Sequence, residues 1–171
     1  ALEEAAGDLD EAAKVLRKKG LAAAAKKAGR TAKDGLVVVH TTADGARVAV
    51  VELNCETDFV ARTERFQAFA AGLAVQAAAD GTPDAAALLE RPKAGDGEHT
   101  VAQALAGEIA TIGENMRLSR VALLDAEPGF KLGSYVHMGG KIGVAVKLSD
   151  NADEETVKDV AMHIAAAEPR F

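Results

Sequence analysis

Cysteine and aromatic residues are scarce in this sequence of 171 residues. Cys55 is the one cysteine, so no disulfide can form within the chain, and a reducing, cytoplasmic environment is expected. Aromatic residues make up 4% and tryptophan is absent, while hydrophobic residues reach 49%. Alanine, valine and leucine must therefore fill most of the core. No apolar run approaches the ~20 residues that span a bilayer, so no membrane association is expected.

Nucleotide-binding and metal-binding patterns are missing as well. Neither a Gly-x-Gly-x-x-Gly motif nor a phosphate-binding Gly-Lys-Ser/Thr loop occurs, and four histidines and one cysteine show no metal-ligand spacing. The formal net charge is −6 with a pI near 5.3, which argues against broad nucleic-acid binding because that requires a basic face. We expect no metal, no cofactor, no direct nucleotide binding and no nucleic-acid partner.

The first 29 residues predict a small helical module. Asp8 or Asp10 is suited to cap a helix that ends at Gly20, and an alanine-rich helical stretch follows it. Residues 30–35 are polar and predict a linker. The chain opens in a helical pattern and stops directly after another one, so we expect the natural protein to be longer at both ends.

Two hairpins dominate the rest of the chain. Residues 36–39 and 48–51 are β-branched runs around an Asp-Gly pair that favours a tight turn. Residues 134–137 and 142–146 flank a second glycine-containing turn. Each hairpin follows the same local pattern and leads to a helix, which indicates a duplicated hairpin-plus-helix unit.

Cap residues and spacing predict the remaining elements. A weak helix is predicted over 84–90, a helix capped by Thr100 over 101–112, a strand over 117–124, and a last helix opening at 153–155. The fold class is therefore α+β with antiparallel sheets. The predicted core subdomains span 36–125 and 126–171.

The segment 52–62 is the least ordinary part of the sequence, because charged residues surround a strand-to-helix corner. Thr57 or Asp58 can cap the following turn. Phe59, in the first helical turn, could enter the core or project toward a partner, and composition alone favours the core. Cys55 could serve as a nucleophile, but a small buried residue at a strand end is the favoured interpretation. His137, at the second turn, reads as a solvated histidine.

Several of these segments together resemble the elongation factor Ts family, in the family's order and across the chain. The matching residues are Glu52-Leu53-Asn54-Cys55-Glu56-Thr57-Asp58-Phe59-Val60-Ala61, Ile112-Gly113-Glu114-Asn115 with Arg120-Val121, Gly133-Ser134-Tyr135 with His137, and Ala161-Met162-His163-Ile164-Ala165-Ala166. The opening Ala1-Leu2-Glu3-Glu4-Ala5 with Gly7-Asp8 looks like part of the family's N-terminal module, which is similar to a ubiquitin-associated domain. Residues 81–99 match least.

The resemblance implies a guanine-nucleotide exchange factor rather than an enzyme. Its partner would be elongation factor Tu, and its core would be two related α/β subdomains that follow a partial helical module. The family's Asp-Phe pair inserts against the partner's nucleotide-binding domain and disturbs the elements that hold Mg²⁺ and phosphate, so GDP leaves. On this basis Phe59 is expected to point outward. The implied contact residues are Thr57, Asp58, Phe59, Val60, Ile112, Gly113, His137 and Lys27.

Two other functions stay open at this point. A generic protein-binding α/β module would have no effect on GDP release, and a small hydrolase would use Cys55 with a histidine. Relative to the family pattern, a Thr-Gly-Ala-Gly-Met-Met-like segment and a C-terminal module are not among these residues. If the molecule consists of these residues alone, weakened exchange is expected.

Overall fold

The computed structural model describes residues 1–169, and residues 170 and 171 of the predicted second core subdomain lie outside this range. In chain order the helices and strands are α1 (Leu9–Lys27), β1 (Asp34–Thr41), β2 (Arg47–Cys55), α2 (Asp58–Ala61), α3 (Glu64–Asp80), α4 (Ala85–Glu90), α5 (Val101–Ile112), β3 (Met116–Asp125), β4 (Phe130–His137), β5 (Ile142–Ser149) and α6 (Glu154–Ala167). The sheets are antiparallel, which confirms the α+β class.

The N-terminal helix differs from its prediction. Asp8 caps α1 by accepting hydrogen bonds from the N–H groups of Asp10 and Glu11, as expected, but the helix runs through Gly20 to Lys27. The predicted stop at Gly20 is therefore wrong. Gly20 is buried, and a β-carbon there would lie 3.6 Å from Cβ of Ala110 in α5. The glycine belongs to the place where α1 packs on α5, and this packing offsets its low helix propensity.

The first sheet has the strand order β1-β2-β3, and its core lies between the sheet and the helices. Asp44 and Gly45 lie in the β1–β2 loop, where Gly45 has φ +68°, as the Asp-Gly pair predicts. Phe66 and Leu73 of α3 are fully buried, as is Leu53 of β2. Burying one such side chain contributes about 1.5–3 kcal/mol.

The second hairpin, β4-β5, forms a sheet of two strands with its own small core. Asp153 caps α6, and the apolar face of this helix packs on β4 and β5 through Val157 and Ala161. Each hairpin thus leads to a helix that covers it, as the duplicated pattern indicates. The first hairpin differs because β3 joins it as a third strand.

The segments predicted as a helical module, a linker and two subdomains contact one another in the fold. Asp34 and Gly35 of the predicted linker already belong to β1, and α1 packs on α5 of the first subdomain. The second hairpin lies against β1. Within residues 1–169 no helix combines the length and the apolar character needed to cross a membrane. The boundaries at residues 29, 35 and 125 stay predictions.

Candidate functional site

The corner between β2 and α2 is held by a capping threonine. Thr57 has an extended backbone, with φ −130° and ψ 153°, and its hydroxyl accepts a hydrogen bond from the N–H of Val60 at 3.4 Å. Asp58 opens the helix, where a carboxylate suits the positive end of the helix dipole. It also pairs with Arg62 at 2.8 Å, one turn later. Of the two predicted caps, Thr57 is the one that the fold uses.

Phe59 projects from this corner into solvent. Its side chain is 78% exposed, the largest value among the exposed large hydrophobic residues in the described part of the chain. Ala61, two positions later and on the opposite side of the helical turn, is buried. The outward direction expected from the family resemblance is confirmed, and the core position favoured by composition is wrong. Whether Phe59 contacts a partner stays a prediction.

A carboxylate from a distant part of the chain anchors the same corner. Glu114 lies just after α5, and its Oε2 accepts hydrogen bonds from the backbone N–H groups of Glu56 at 3.1 Å and Thr57 at 3.0 Å. Its Oε1 accepts a third bond, from the Thr57 hydroxyl, at 2.6 Å. Hydrogen bonds to an ionised carboxylate are about twice as strong as neutral ones. The corner is therefore tied to the end of α5.

A second carboxylate makes the reverse connection, from the corner to the chain after α5. Glu56 Oε1 accepts a hydrogen bond from the backbone N–H of Asn115 at 2.6 Å. Asn115 is itself buried, and its side-chain amide donates to the carbonyl oxygen of Arg30 at 2.7 Å. The Arg30 guanidinium lies 3.5 Å from Glu56 Oε1. Residues 56–57 and 114–115 thus form a reciprocal junction, which also holds the segment after α1.

Ile112 and Gly113 are brought next to the corner by this junction. Gly113 ends α5 with φ +89°, and its N–H donates to the carbonyl oxygen of Ile109 at 3.0 Å. A left-handed conformation of this kind favours glycine, because a β-carbon would strain it. The chain then turns directly into Glu114. Two segments that the resemblance marks as contact positions are therefore neighbours in space.

His137 is the last residue of β4, where the tip of the second hairpin begins. Its Nδ1 is 3.0 Å from the hydroxyl oxygen of Tyr135, so the ring is held rather than freely solvated. The next residue, Met138, has φ +49° and a side chain that is 75% exposed. Met138 and Asp58 both line one cleft of about 370 Å³. The hairpin tip and the corner thus flank a common surface.

Lys27 stands apart from the other predicted contact residues. It lies in the last turn of α1, where a cation suits the negative end of the helix dipole. Within the described part of the chain, no hydrogen bond or ion pair connects Lys27 to the corner. Arg30, three residues later, is the residue that reaches it.

Cys55 is a structural residue in this fold. Its side chain is fully buried, and its Sγ donates to the carbonyl oxygen of Thr57 at 3.1 Å. Burial, with a smaller effect of Glu114, raises the pKa of the thiol to about 11. A thiol in this state is a poor nucleophile. Residues 1–169 also contain no cluster of three or more histidine, cysteine or acidic side chains able to hold a metal ion.

Comparison with known proteins decides the family. The family model described as "Elongation factor TS" matches residues 56–171, which is more than half of the chain. The chain belongs to the elongation factor Ts family. It is 46% identical to elongation factor Ts of Trichlorobacter lovleyi over 179 aligned positions and 45% identical to that of Clostridium botulinum (strain ATCC 19397 / Type A) over 175. Both alignments cover 100% of this chain and 57% of the relative.

The family match covers most, but not all, of the predicted contact residues. The match begins at Glu56 and so includes the corner, the end of α5 and the hairpin tip, whereas Lys27 precedes it. In the sequence, Glu114 stands out only as one residue of the matching segment Ile112-Gly113-Glu114-Asn115. No local pattern pairs it with Thr57, which lies 57 residues earlier, so its part in the corner emerges only from the fold.

Proposed function

We propose that this chain is a guanine-nucleotide exchange factor that promotes release of GDP from elongation factor Tu during translation elongation. The observation that carries the proposal is Phe59, an aromatic side chain that is 78% exposed on a capped and anchored corner. Solvent exposure of a phenylalanine costs hydrophobic free energy, and large exposed aromatic side chains are common anchors of protein interfaces. Family membership supports elongation factor Tu as the partner of this anchor.

We propose that the chain acts by shifting the parts of elongation factor Tu that hold its nucleotide. Phe59 would insert between side chains of the nucleotide-binding domain of elongation factor Tu, with Asp58 beside it, and shift the elements that hold Mg²⁺ and phosphate. A factor accelerates exchange in this way only if it binds the nucleotide-free state more tightly than the GDP-bound state. A rigid projection favours such selectivity, because it fits one arrangement of the partner and opposes the other.

The proposed contact surface consists of three neighbouring segments and one outlying lysine. The residues are Thr57, Asp58, Phe59, Val60, Ile112, Gly113, His137 and Lys27. Its support is the junction that joins the corner to the end of α5, and the cleft shared by Asp58 and the tip of the second hairpin. Lys27 has the least structural support, since among residues 1–169 no direct hydrogen bond or ion pair joins it to the other seven.

The proposal also states what kind of protein this is and where in the cell it acts. Exchange requires no covalent step, so the chain would act as a binding protein rather than an enzyme, without a cofactor and without binding nucleotide, nucleic acid or membrane itself. The raised pKa of the Cys55 thiol supports this reading over a thiol hydrolase. Because translation elongation takes place in the cytoplasm, we place the protein there.

The direct test is release of a fluorescent GDP analogue from purified bacterial elongation factor Tu, with and without the 171-residue chain. Accelerated release supports the proposal. The curated relatives are longer than this chain, so a version extended at both ends belongs in the same experiment. Acceleration by the extended version alone would mean that the additional segments are required. No acceleration by either would contradict the proposal and favour a binding module without exchange activity.

A further inference from the structure

We propose that Glu114 is a positioning residue, which holds the corner so that Phe59 is presented in one fixed direction. This inference rests on the exchange function proposed above. The Glu114 carboxylate accepts from the backbone N–H groups of two successive residues, Glu56 and Thr57, at 3.1 and 3.0 Å. It accepts as well from the Thr57 hydroxyl at 2.6 Å. One side chain therefore restrains the backbone and the cap at the position where α2 begins.

The helix that carries Phe59 is too short to hold itself. α2 has four residues, little more than one turn, and isolated helices of that length are unstable in water. The bond from the Val60 N–H to Thr57 is long, at 3.4 Å. The Asp58–Arg62 pair is exposed and contributes little. The direction of α2 thus depends on contacts from outside the helix.

Glu114 also makes the cap of this helix effective. A threonine hydroxyl can donate one hydrogen bond and has two lone pairs. The Thr57 hydroxyl donates its hydrogen bond to Glu114 Oε1. The lone pairs then remain available for the Val60 N–H, which is what a capping residue requires. Without the carboxylate, the hydroxyl is free to rotate and two backbone N–H groups lose their partner.

A hydrogen bond accepted by Glu56 extends the restraint to a second contact segment. Glu56 accepts from the backbone N–H of Asn115 at 2.6 Å, so the corner and the chain after α5 hold each other. Gly113 immediately precedes this junction. Phe59 and the Ile112–Gly113 turn are therefore attached to the same junction, although they are far apart in sequence.

Rigidity matters for a side chain that must act on a partner. If the corner were mobile, part of the binding free energy would be spent on ordering it, and less would remain to displace the nucleotide elements. Because α2 has little stability of its own, Glu114 decides how well Phe59 is ordered before the partner arrives.

The experiment compares Glu114→Ala and Glu114→Gln with Glu108→Ala in the 171-residue chain. Glu108 is a matched control, because it lies within α5, before Glu114, and accepts two hydrogen bonds from Arg65 at 2.6 and 3.0 Å rather than from the corner residues that Glu114 holds. Two measurements are made: amide hydrogen exchange of residues 56–60 in the free chain, and GDP release from elongation factor Tu. Both are compared with the thermal midpoint of each variant.

We expect Glu114→Ala to lose amide protection at residues 56–60 while the amides of β2 and α3 keep theirs. GDP release should slow roughly tenfold, as loss of a charge-assisted hydrogen bond implies, and Glu114→Gln should recover part of it because its amide oxygen still accepts. Glu108→Ala should behave like the wild type in both measurements. A merely structural glutamate would instead lower the protection of the whole core together with the thermal midpoint.

Unchanged amide protection at residues 56–60 in Glu114→Ala would overturn the proposal. So would GDP release that falls only in proportion to the unfolded fraction. If neither the wild-type chain nor its extended version accelerates release, the proposed function fails. The amide measurement then still decides whether Glu114 holds the corner, since it needs no partner.

Discussion

Val37 donates its backbone N–H to the carbonyl oxygen of Gly140 across 2.6 Å, and this bond joins the first sheet to the turn of the second hairpin. Next to it, Gly143 lies so close to Val37 that a β-carbon on the glycine would collide with Val37 Cγ1. Glycine within a strand often marks such a close approach of another strand. The two sheets can therefore contact each other here because glycine has no side chain at position 143.

The first prediction concerns this contact. Gly143→Ala should lower the free energy of unfolding by roughly 1–3 kcal/mol, because the added methyl group overpacks the space occupied by Val37. The measurement is urea denaturation followed by circular dichroism. Gly107→Ala is the control: Gly107 lies inside α5 with open space around its Cα, so alanine should stabilise the protein by roughly 0.5–1 kcal/mol. Equal stability of the Gly143 variant and the wild type would refute the packing argument.

The second prediction contrasts two phenylalanines. Phe59→Ala should leave the thermal midpoint nearly unchanged, since the side chain is 78% exposed, yet slow GDP release roughly 30-fold, as loss of an interface anchor worth about 2 kcal/mol implies. Phe66→Ala should instead destabilise the fold by roughly 3–5 kcal/mol, because Phe66 is fully buried. Loss of folded signal in Phe59→Ala would show that this residue supports the core.

The third prediction concerns the hairpin tip. His137→Ala should slow GDP release by roughly two- to tenfold, less than Phe59→Ala, because it removes one polar contact rather than an apolar anchor. Tyr135→Phe is the matched control, since it deletes the hydroxyl that meets His137 Nδ1 at 3.0 Å and keeps the imidazole. We expect it to retain most of the activity. GDP release at the wild-type rate in His137→Ala would show that this histidine makes no contact needed for exchange.

The fourth prediction concerns Cys55 and pH. Burial raises the pKa of this thiol from 9.0 to about 11, so the folded state retains the proton where the unfolded state has already lost it. Unfolding is then favoured as pH rises from about 9 to 11, by at most about 1.4 kcal/mol per pH unit. Stability of the wild type should fall more steeply over this range than that of Cys55→Ala, measured by urea denaturation. Equal slopes would contradict the raised pKa.

Reactivity of the same thiol offers an independent check. Iodoacetamide at neutral pH should label Cys55 only slowly in the folded chain and rapidly in denaturant, because the thiolate is the reactive form and the sulfur is buried. Rapid labelling of the folded chain, with loss of a hydrolytic turnover, would favour the hydrolase hypothesis instead.

Local signals in the sequence predicted most elements of the fold. Thr100 caps α5 through a capping box with Gln103, and Asp84 and Asp153 cap the helices that follow them. Caps, tight turns and β-branched runs act over a few residues, so they can be read without knowing the rest of the chain. The same local reasoning failed at Gly20, where contact with α5 overrides the usual effect of a glycine.

The candidate site was predicted less completely. The motif around Phe59 and the Ile112–Gly113 pair could be identified from the family resemblance, and the capping role of Thr57 from its type. Local reasoning placed Phe59 in the core, because a phenylalanine is usually buried. Only the resemblance reversed that expectation before the exposed fraction was known.

The amino-acid sequence by itself determined most of the strands, helices and caps, and it carried the family pattern, since these depend on neighbouring residues. The tertiary structure alone decided that Glu114 meets Glu56 and Thr57, and that the hairpin tip shares a cleft with Asp58. These relationships join residues far apart in the chain. They arise from how the elements pack, which no short stretch of sequence specifies.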